Sequence, residues 1–391
     1  MYHLDMPSLR RFAVIADGND GSVPLRKLTL FSKVNLFLLH GFFSIIQMIL
    51  HPLGLAVPVG TAFLASMFGC MMFVPPLVCW TVLCATDLML PGTYQAVMDV
   101  KAYWISTILV WYLFTLATDK APRTPVGANH RRPTNIMDAA AHNFYFWNVI
   151  DYFPIECVPW ADDATLPPDR QYVFAIHPHG IFCWGLFMFA AAGTPFDKRF
   201  PGLAGKKLVG LVATVLFTIP VIREFFLEWP YIDASRRVAS DALNSGLSLY
   251  LIPGGEEEVV VTTHGQDSTV LMKRKGFIRL ALSYGADLVP VWGVGTTDSF
   301  RTYPAVFGFR KFVQKRFGIA IANYHGRWFT PLPYKDKPVR ILIGKPIPTP
   351  QPKVRGEKPD PKLVDEYHAK YVAALKELHD AHVKDRPLKI L

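Results

Sequence analysis

The chain has 391 residues, 51% of them apolar, and a formal net charge of +10. That length gives one large domain or two ordinary ones. The basic balance suits anionic lipid headgroups or a phosphorylated substrate, and with no basic–aromatic reader motif it argues against nucleic acid as a partner.

Residues 1–33 are a polar to mixed lead-in, read as a cytosolic segment. No Asp, Glu, Lys or Arg occurs from 34 through 86, and none from 102 through 118. A spanning helix needs roughly 20 consecutive apolar residues, and soluble cores rarely stay free of charge for so long. Residues 34–118 are therefore expected to form N-terminal transmembrane or membrane-embedded helices, with apolar segments at 35–50, 54–90 and 103–118. Pro58 and Pro75-Pro76 interrupt the second, as neighbouring helices allow. Trp104, Trp111 and Tyr112 suit interfacial anchoring. The run starts too late and lasts too long for a secretory signal. Arg26, Lys27 and Lys33 before it, and the basic carboxyl half after it, place both flanks in the cytosol by the positive-inside tendency. Two or three spans remain open. The five cysteines, Cys70, Cys79, Cys84, Cys157 and Cys183, include no Cys-x-x-Cys pair. They fit a reducing compartment and offer no zinc site.

A polar connector occupies 119–143, and an aromatic stretch follows it. From 171 onward, strand-like runs (172–176, 247–252, 288–292, 339–343) alternate with helix-like ones (186–193, 236–244, 275–283, 361–384). That alternation predicts an α/β domain over 119–391, with a mostly parallel sheet flanked by helices.

Three clusters carry chemistry. In the first, His177 and His179 bracket Pro178 where a strand gives way to a turn, the usual ligand position in such sheets. Imidazole suits proton transfer near neutral pH, Pro178 favours an extended His177, and Gly180 permits close backbone approach. The plain alternative is a turn with two hydrogen-bonded histidines. The second cluster, Pro253-Gly254-Gly255-Glu256-Glu257-Glu258, also follows a strand; one of its glutamates pointing inward would orient an imidazole. The third, Lys273-Arg274-Lys275-Gly276 with Arg279, opens an apolar-periodic helix, where free N–H groups and cations suit phosphates; a collar on lipid headgroups is the competing reading. No Gly-x-Ser-x-Gly elbow, P-loop or His-Glu-x-x-His motif occurs. A His followed five positions later by Asp is also missing, because Phe182 and Trp184 stand there.

Taken in order, Tyr152-Phe153-Pro154, His177-Pro178-His179-Gly180, Pro220-Val221-Ile222-Arg223-Glu224, Gly254-Gly255 with Glu258, and Arg274-Lys275-Gly276-Phe277 resemble the diacylglycerol O-acyltransferase type 2 family. Gly285-Ala286-Asp287-Leu288-Val289-Pro290 and Gly344-Lys345-Pro346-Ile347 extend the resemblance, which covers roughly 103 to the carboxyl end. It implies a glycerolipid-acyltransferase-like fold in an enzyme of the endoplasmic-reticulum membrane and lipid-droplet surface. Such an enzyme moves an acyl chain from acyl-CoA to a lipid hydroxyl, here diacylglycerol to give triacylglycerol. The expected partners are acyl-CoA, the lipid alcohol and the bilayer, and a homo-oligomer is left open. No metal and no cofactor is expected, acyl-CoA being a co-substrate.

The family's Gly-Gly-x-x-Glu pattern selects Glu258 as the orienting carboxylate. The apolar amino-terminal region is longer than the family's hairpin, and Pro253, Glu256 and Glu257 depart from its usual residues. His177 is placed ahead of His179 as general base, with the order of the two open. His179 or N–H groups around Gly180 then face the oxyanion. Tyr152, Phe153, Pro154, Gly180, Arg223, Gly254 and Gly255 are the expected substrate contacts, with Lys273, Arg274, Lys275 and Arg279 on the CoA phosphates. The rivals are a monoacylglycerol or fatty-alcohol (wax ester) acyltransferase and, outside enzymes, an inactive lipid-binding homologue. A phospholipid-making acyltransferase is weakened by the missing Asp.

Overall fold

The structure, a computed structural model, describes residues 155–391 apart from 190–193, 204–206, 220–221, 229, 304–321, 330–332 and 335–337, together with parts of 110–123. The lead-in, nearly all of the expected membrane segments, and Tyr152, Phe153 and Pro154 lie outside the described residues. Among the described residues no helix is long and apolar enough to cross a membrane.

In chain order the elements are β1 (Glu156–Pro159), β2 (Tyr172–His177), α1 (Gly185–Phe189), α2 (Pro195–Arg199), β3 (Leu208–Val212), α3 (Ile222–Glu228), β4 (Tyr231–Asp233), α4 (Arg236–Asn244), β5 (Ser248–Leu251), α5 (Glu256–Val261), β6 (Ser268–Thr269), α6 (Gly276–Tyr284), β7 (Asp287–Val294), β8 (Arg301–Thr302), β9 (Tyr324–His325), β10 (Arg340–Ile343), α7 (Pro361–His382) and β11 (Lys389–Ile390). Seven strands form one sheet in the order β1-β10-β7-β2-β5-β3-β4. Neighbours are parallel except β7 with β10. The mostly parallel, helix-flanked sheet expected from the sequence is therefore present.

Every residue of β2 is buried, as a strand paired on both sides and covered on both faces requires. Its side chains alternate. Tyr172, Phe174 and Ile176 enter an aromatic core with Phe187 and Phe189 from α1, Phe196 from α2 and Phe200 just after it. Val173 and Ala175 enter the opposite core, built with α4, α6 and α7. By the same parity His177 points to the α6–α7 side. α7 buries Val364, His368, Tyr371, Leu375 and Leu378, the three-and-four spacing of a helix lying on a sheet. Asp360 accepts from the Lys362 N–H, and Pro361 fills the first turn, where its missing N–H costs nothing.

Three sheet strands went unread in the sequence: β1, β3 and β4. β3 (Leu-Val-Gly-Leu-Val) carries a glycine that weakens a strand signal; a Cβ on Gly210 would run into Tyr231 and Tyr250. The expected helix at 186–193 is α1, ending at Phe189, with α2 starting after the Thr194 cap.

On the α7 side lies a second histidine, away from the expected site. Buried His379 faces a carboxylate with each ring nitrogen, Asp267 Oδ2 and Asp380 Oδ1, both at 3.0 Å. Burial opposes its charge, but the bonds to Asp267 and Asp380 outweigh it and raise its pKa above the ordinary imidazole value. A raised folded-state pKa stabilises the protein fully below the unfolded value of about 6.5 and ceases to do so as pH rises through the folded one. The melting-temperature gap between wild type and His379→Gln is expected to be widest in mild acid and to narrow in mild alkali.

Candidate active site

Adjacent parallel strands β2 and β5 end at the same edge of the sheet, and the two motif-bearing loops leave from there. The His177–Pro178 peptide is cis. His177 is fully buried, with Nδ1 2.7 Å from Thr269 Oγ1 and Nε2 3.1 Å from the Tyr371 hydroxyl. Two residues on, His179 is partly exposed; its Nδ1 lies 3.0 Å from the Gly180 carbonyl, which can only accept, so Nδ1 carries the proton. Among the described residues its Nε2 has no hydrogen-bond partner, which leaves a lone pair at the rim. Burial lowers the His179 pKa, against the nearby Glu258 and Glu256 charges and the Gly180 bond. A neutral ring with Nε2 as acceptor is what a general base requires.

Of the three successive glutamates, Glu258 alone is buried. It sits in the first turn of α5, where a negative charge is favoured. Oε2 accepts the His179 backbone N–H at 2.6 Å, and Oε1 accepts the Thr269 hydroxyl at 2.5 Å and the Val270 N–H at 2.8 Å. His177 Nδ1 is 3.8 Å from Oε1. Burial pushes the carboxyl up, but His177, Thr269 and the His179 amide together hold it below the ordinary carboxylate value.

The glycines have specific reasons. The Glu258 side chain folds back over Gly254, so a Cβ there would overlap its carboxyl. Gly255 and Gly180 have φ of +55° and +64°, where side chains are strained, and a Cβ on Gly180 would also meet Thr296 Cγ2 at 2.8 Å. Gly254→Ala is therefore expected to lower both the melting temperature and the activity by moving Glu258 off the His179 N–H. Overpacking of this kind costs about 1–3 kcal/mol, and thermal melts run beside activity assays check it.

The remaining expected contacts divide. Arg223 is buried and paired with Asp119 at 2.6 Å, so it ties α3 to the start of the α/β domain. Arg274 bonds Glu257 at 2.6 Å, locking the α6 entry to α5, and Lys275 bonds Asp365 on α7 at 2.7 Å. Lys273 and Arg279 are exposed. One motif of the family resemblance is architectural. Gly285 ends α6 in a left-handed conformation, and Asp287 opens β7 bound to Arg170 and the Thr349 N–H. Thr269 and Tyr371, which touch His177, carried no sequence signal beyond lying on a short polar stretch and on the apolar stripe of the closing helix.

The sequence pattern of the diacylglycerol acyltransferase family matches residues 100–388. The chain belongs to that family. It is 32% identical over 296 residues to diacylglycerol O-acyltransferase 2 of Danio rerio, covering 71% of this chain and 76% of that protein. It is 34% identical over 251 residues to 2-acylglycerol O-acyltransferase 3 of Homo sapiens (59% and 69%). It is 32% identical over 260 residues to acyl-CoA wax alcohol acyltransferase 1 of Homo sapiens (62% and 75%). These relatives are acyltransferases whose names differ in the acceptor. The loop-end histidines and the buried Glu258 thus lie in a member of an acyltransferase family.

Proposed function

We propose that the protein transfers an acyl group from acyl-CoA to the free hydroxyl of diacylglycerol, with His179 as general base. Nε2 takes the hydroxyl proton as the oxygen attacks the thioester carbonyl. The new C–O bond forms, the C–S bond breaks, and the imidazolium returns its proton to the CoA thiolate. Assistance of this kind is worth about 10²–10⁴ in rate. Glu258 grips the His179 backbone and keeps the ring in place. Gly180 and its neighbours offer N–H groups to the developing oxyanion, and exposed Lys273 and Arg279 suit the CoA phosphates.

One observation supports the choice of base: His179 keeps a ring nitrogen without a hydrogen bond among the described residues, whereas both nitrogens of buried His177 are engaged. Diacylglycerol is taken as the acceptor because the matching family pattern and the first of these relatives bear its name. Monoacylglycerol and fatty alcohol are the second reading, motivated by the other two relatives.

The test is expression in cells unable to make triacylglycerol, followed by assay with labelled oleoyl-CoA and each of the three acceptors. Labelled triacylglycerol is expected. Wax ester or diacylglycerol instead moves the acceptor and keeps the chemistry. No acylated product with any acceptor, at good expression, sinks the enzyme reading in favour of lipid binding.

A further inference from the structure

We propose that Tyr371 is a positioning residue for acyl transfer: its phenol, delivered by α7, fixes the His177 imidazole and through it the Thr269–Glu258 link that holds the His179 backbone. The proposal rests on the reading of His179 as base.

The links form an unbroken chain from the last helix to the loop. Tyr371 is fully buried, its ring edge-on to Phe277 at 4.9 Å. Its hydroxyl donates to the Ala175 carbonyl at 3.0 Å and lies 3.1 Å from His177 Nε2. His177 Nδ1 continues to Thr269 at 2.7 Å, Thr269 to Glu258 at 2.5 Å, and Glu258 to the His179 N–H at 2.6 Å.

Counting protons gives the direction of each bond. A phenol has one proton, and the Tyr371 proton goes to Ala175, so its oxygen accepts from Nε2. Thr269 also has one, directed at Glu258, so its oxygen accepts from Nδ1. His177 is then a donor at both nitrogens and has no lone pair for a substrate. Its counter-charge is the Glu258 carboxylate, 3.8 Å away. The titratable groups around Glu258 are His177 and His179 from β2 and its loop, Cys183 beyond them, and Tyr371 from α7, with Glu256 nearer His179. The Tyr371 oxygen thus secures the cation that keeps Glu258 ionised, and ionised Glu258 holds the base.

Tyr371→Phe keeps the ring on Phe277 and removes one oxygen. The expected result is a kcat about tenfold to a hundredfold lower, the range for losing a hydrogen bond to a charged group. KM for acyl-CoA and for acceptor should be unchanged. A lower melting temperature with wild-type kcat per folded molecule would mean packing alone, and overturns the proposal. Histidine-selective 15N spectra read the same network without turnover. Wild-type His177 should be protonated at both nitrogens, and Tyr371→Phe should lose the Nε2 proton; a singly protonated ring in wild type overturns it. If the wild type transfers no acyl group, the functional reading falls, and the spectra still decide the network.

Discussion

Replacing His179 by alanine is expected to lower kcat by about 10²–10⁴, with KM for acyl-CoA and melting temperature near wild type. The ring is partly exposed, and its one observed bond, to the adjacent Gly180 carbonyl, holds no distant element together. His177→Ala should behave differently. It empties a fully buried position between Thr269 and Tyr371, so activity and thermal stability should fall together. Because burial lowers the His179 pKa, the neutral, proton-accepting ring persists below the ordinary imidazole value of about 6.5, and the acid limb of the wild-type profile should lie there. Full kcat in His179→Ala, beside inactive but stable His177→Ala, would assign the base to His177.

Glu258→Gln is expected to cost about 3–5 kcal/mol of stability, the range for removing one partner of a buried charge pair, and most of the activity. An amide NH₂ cannot accept, yet each carboxylate oxygen faces donors: the His179 N–H at Oε2, the Thr269 hydroxyl and Val270 N–H at Oε1. Either amide orientation sets a donor against a donor. The wild-type pH dependence follows from the same contacts. A carboxyl held below its unfolded value of about 4.3 stabilises the fold above that pH and stops doing so as pH falls through the folded value. Acid unfolding should therefore separate wild type from Glu258→Gln most clearly at neutral pH, with the gap closing in strong acid. Equal stability of the two proteins at neutral pH would show that Glu258 is not the buried anion described.

Strand–helix alternation from 171 onward was enough to predict the sheet, because β2, β5, β7 and β10 are apolar runs bounded by turn residues, and their neighbours α4, α6 and α7 have clear helical spacing. The motifs also located the site, since a proline–glycine break after a buried strand leaves few places for two imidazoles and a carboxylate. The sequence did not rank the two histidines. His177 and His179 are the same residue type, and the period-two pleat that turns His177 inward between α6 and α7 shows only once β2 has neighbours on both sides. Nor did it show that Arg223, Arg274 and Lys275 pair with acids that only the fold brings near. Composition and local pattern determined the class, the elements and the reactive loops, because these depend on neighbours in sequence. Tertiary structure decided which imidazole keeps a lone pair and which is enclosed, because the enclosing groups, Thr269 and Tyr371, lie 92 and 194 residues from His177.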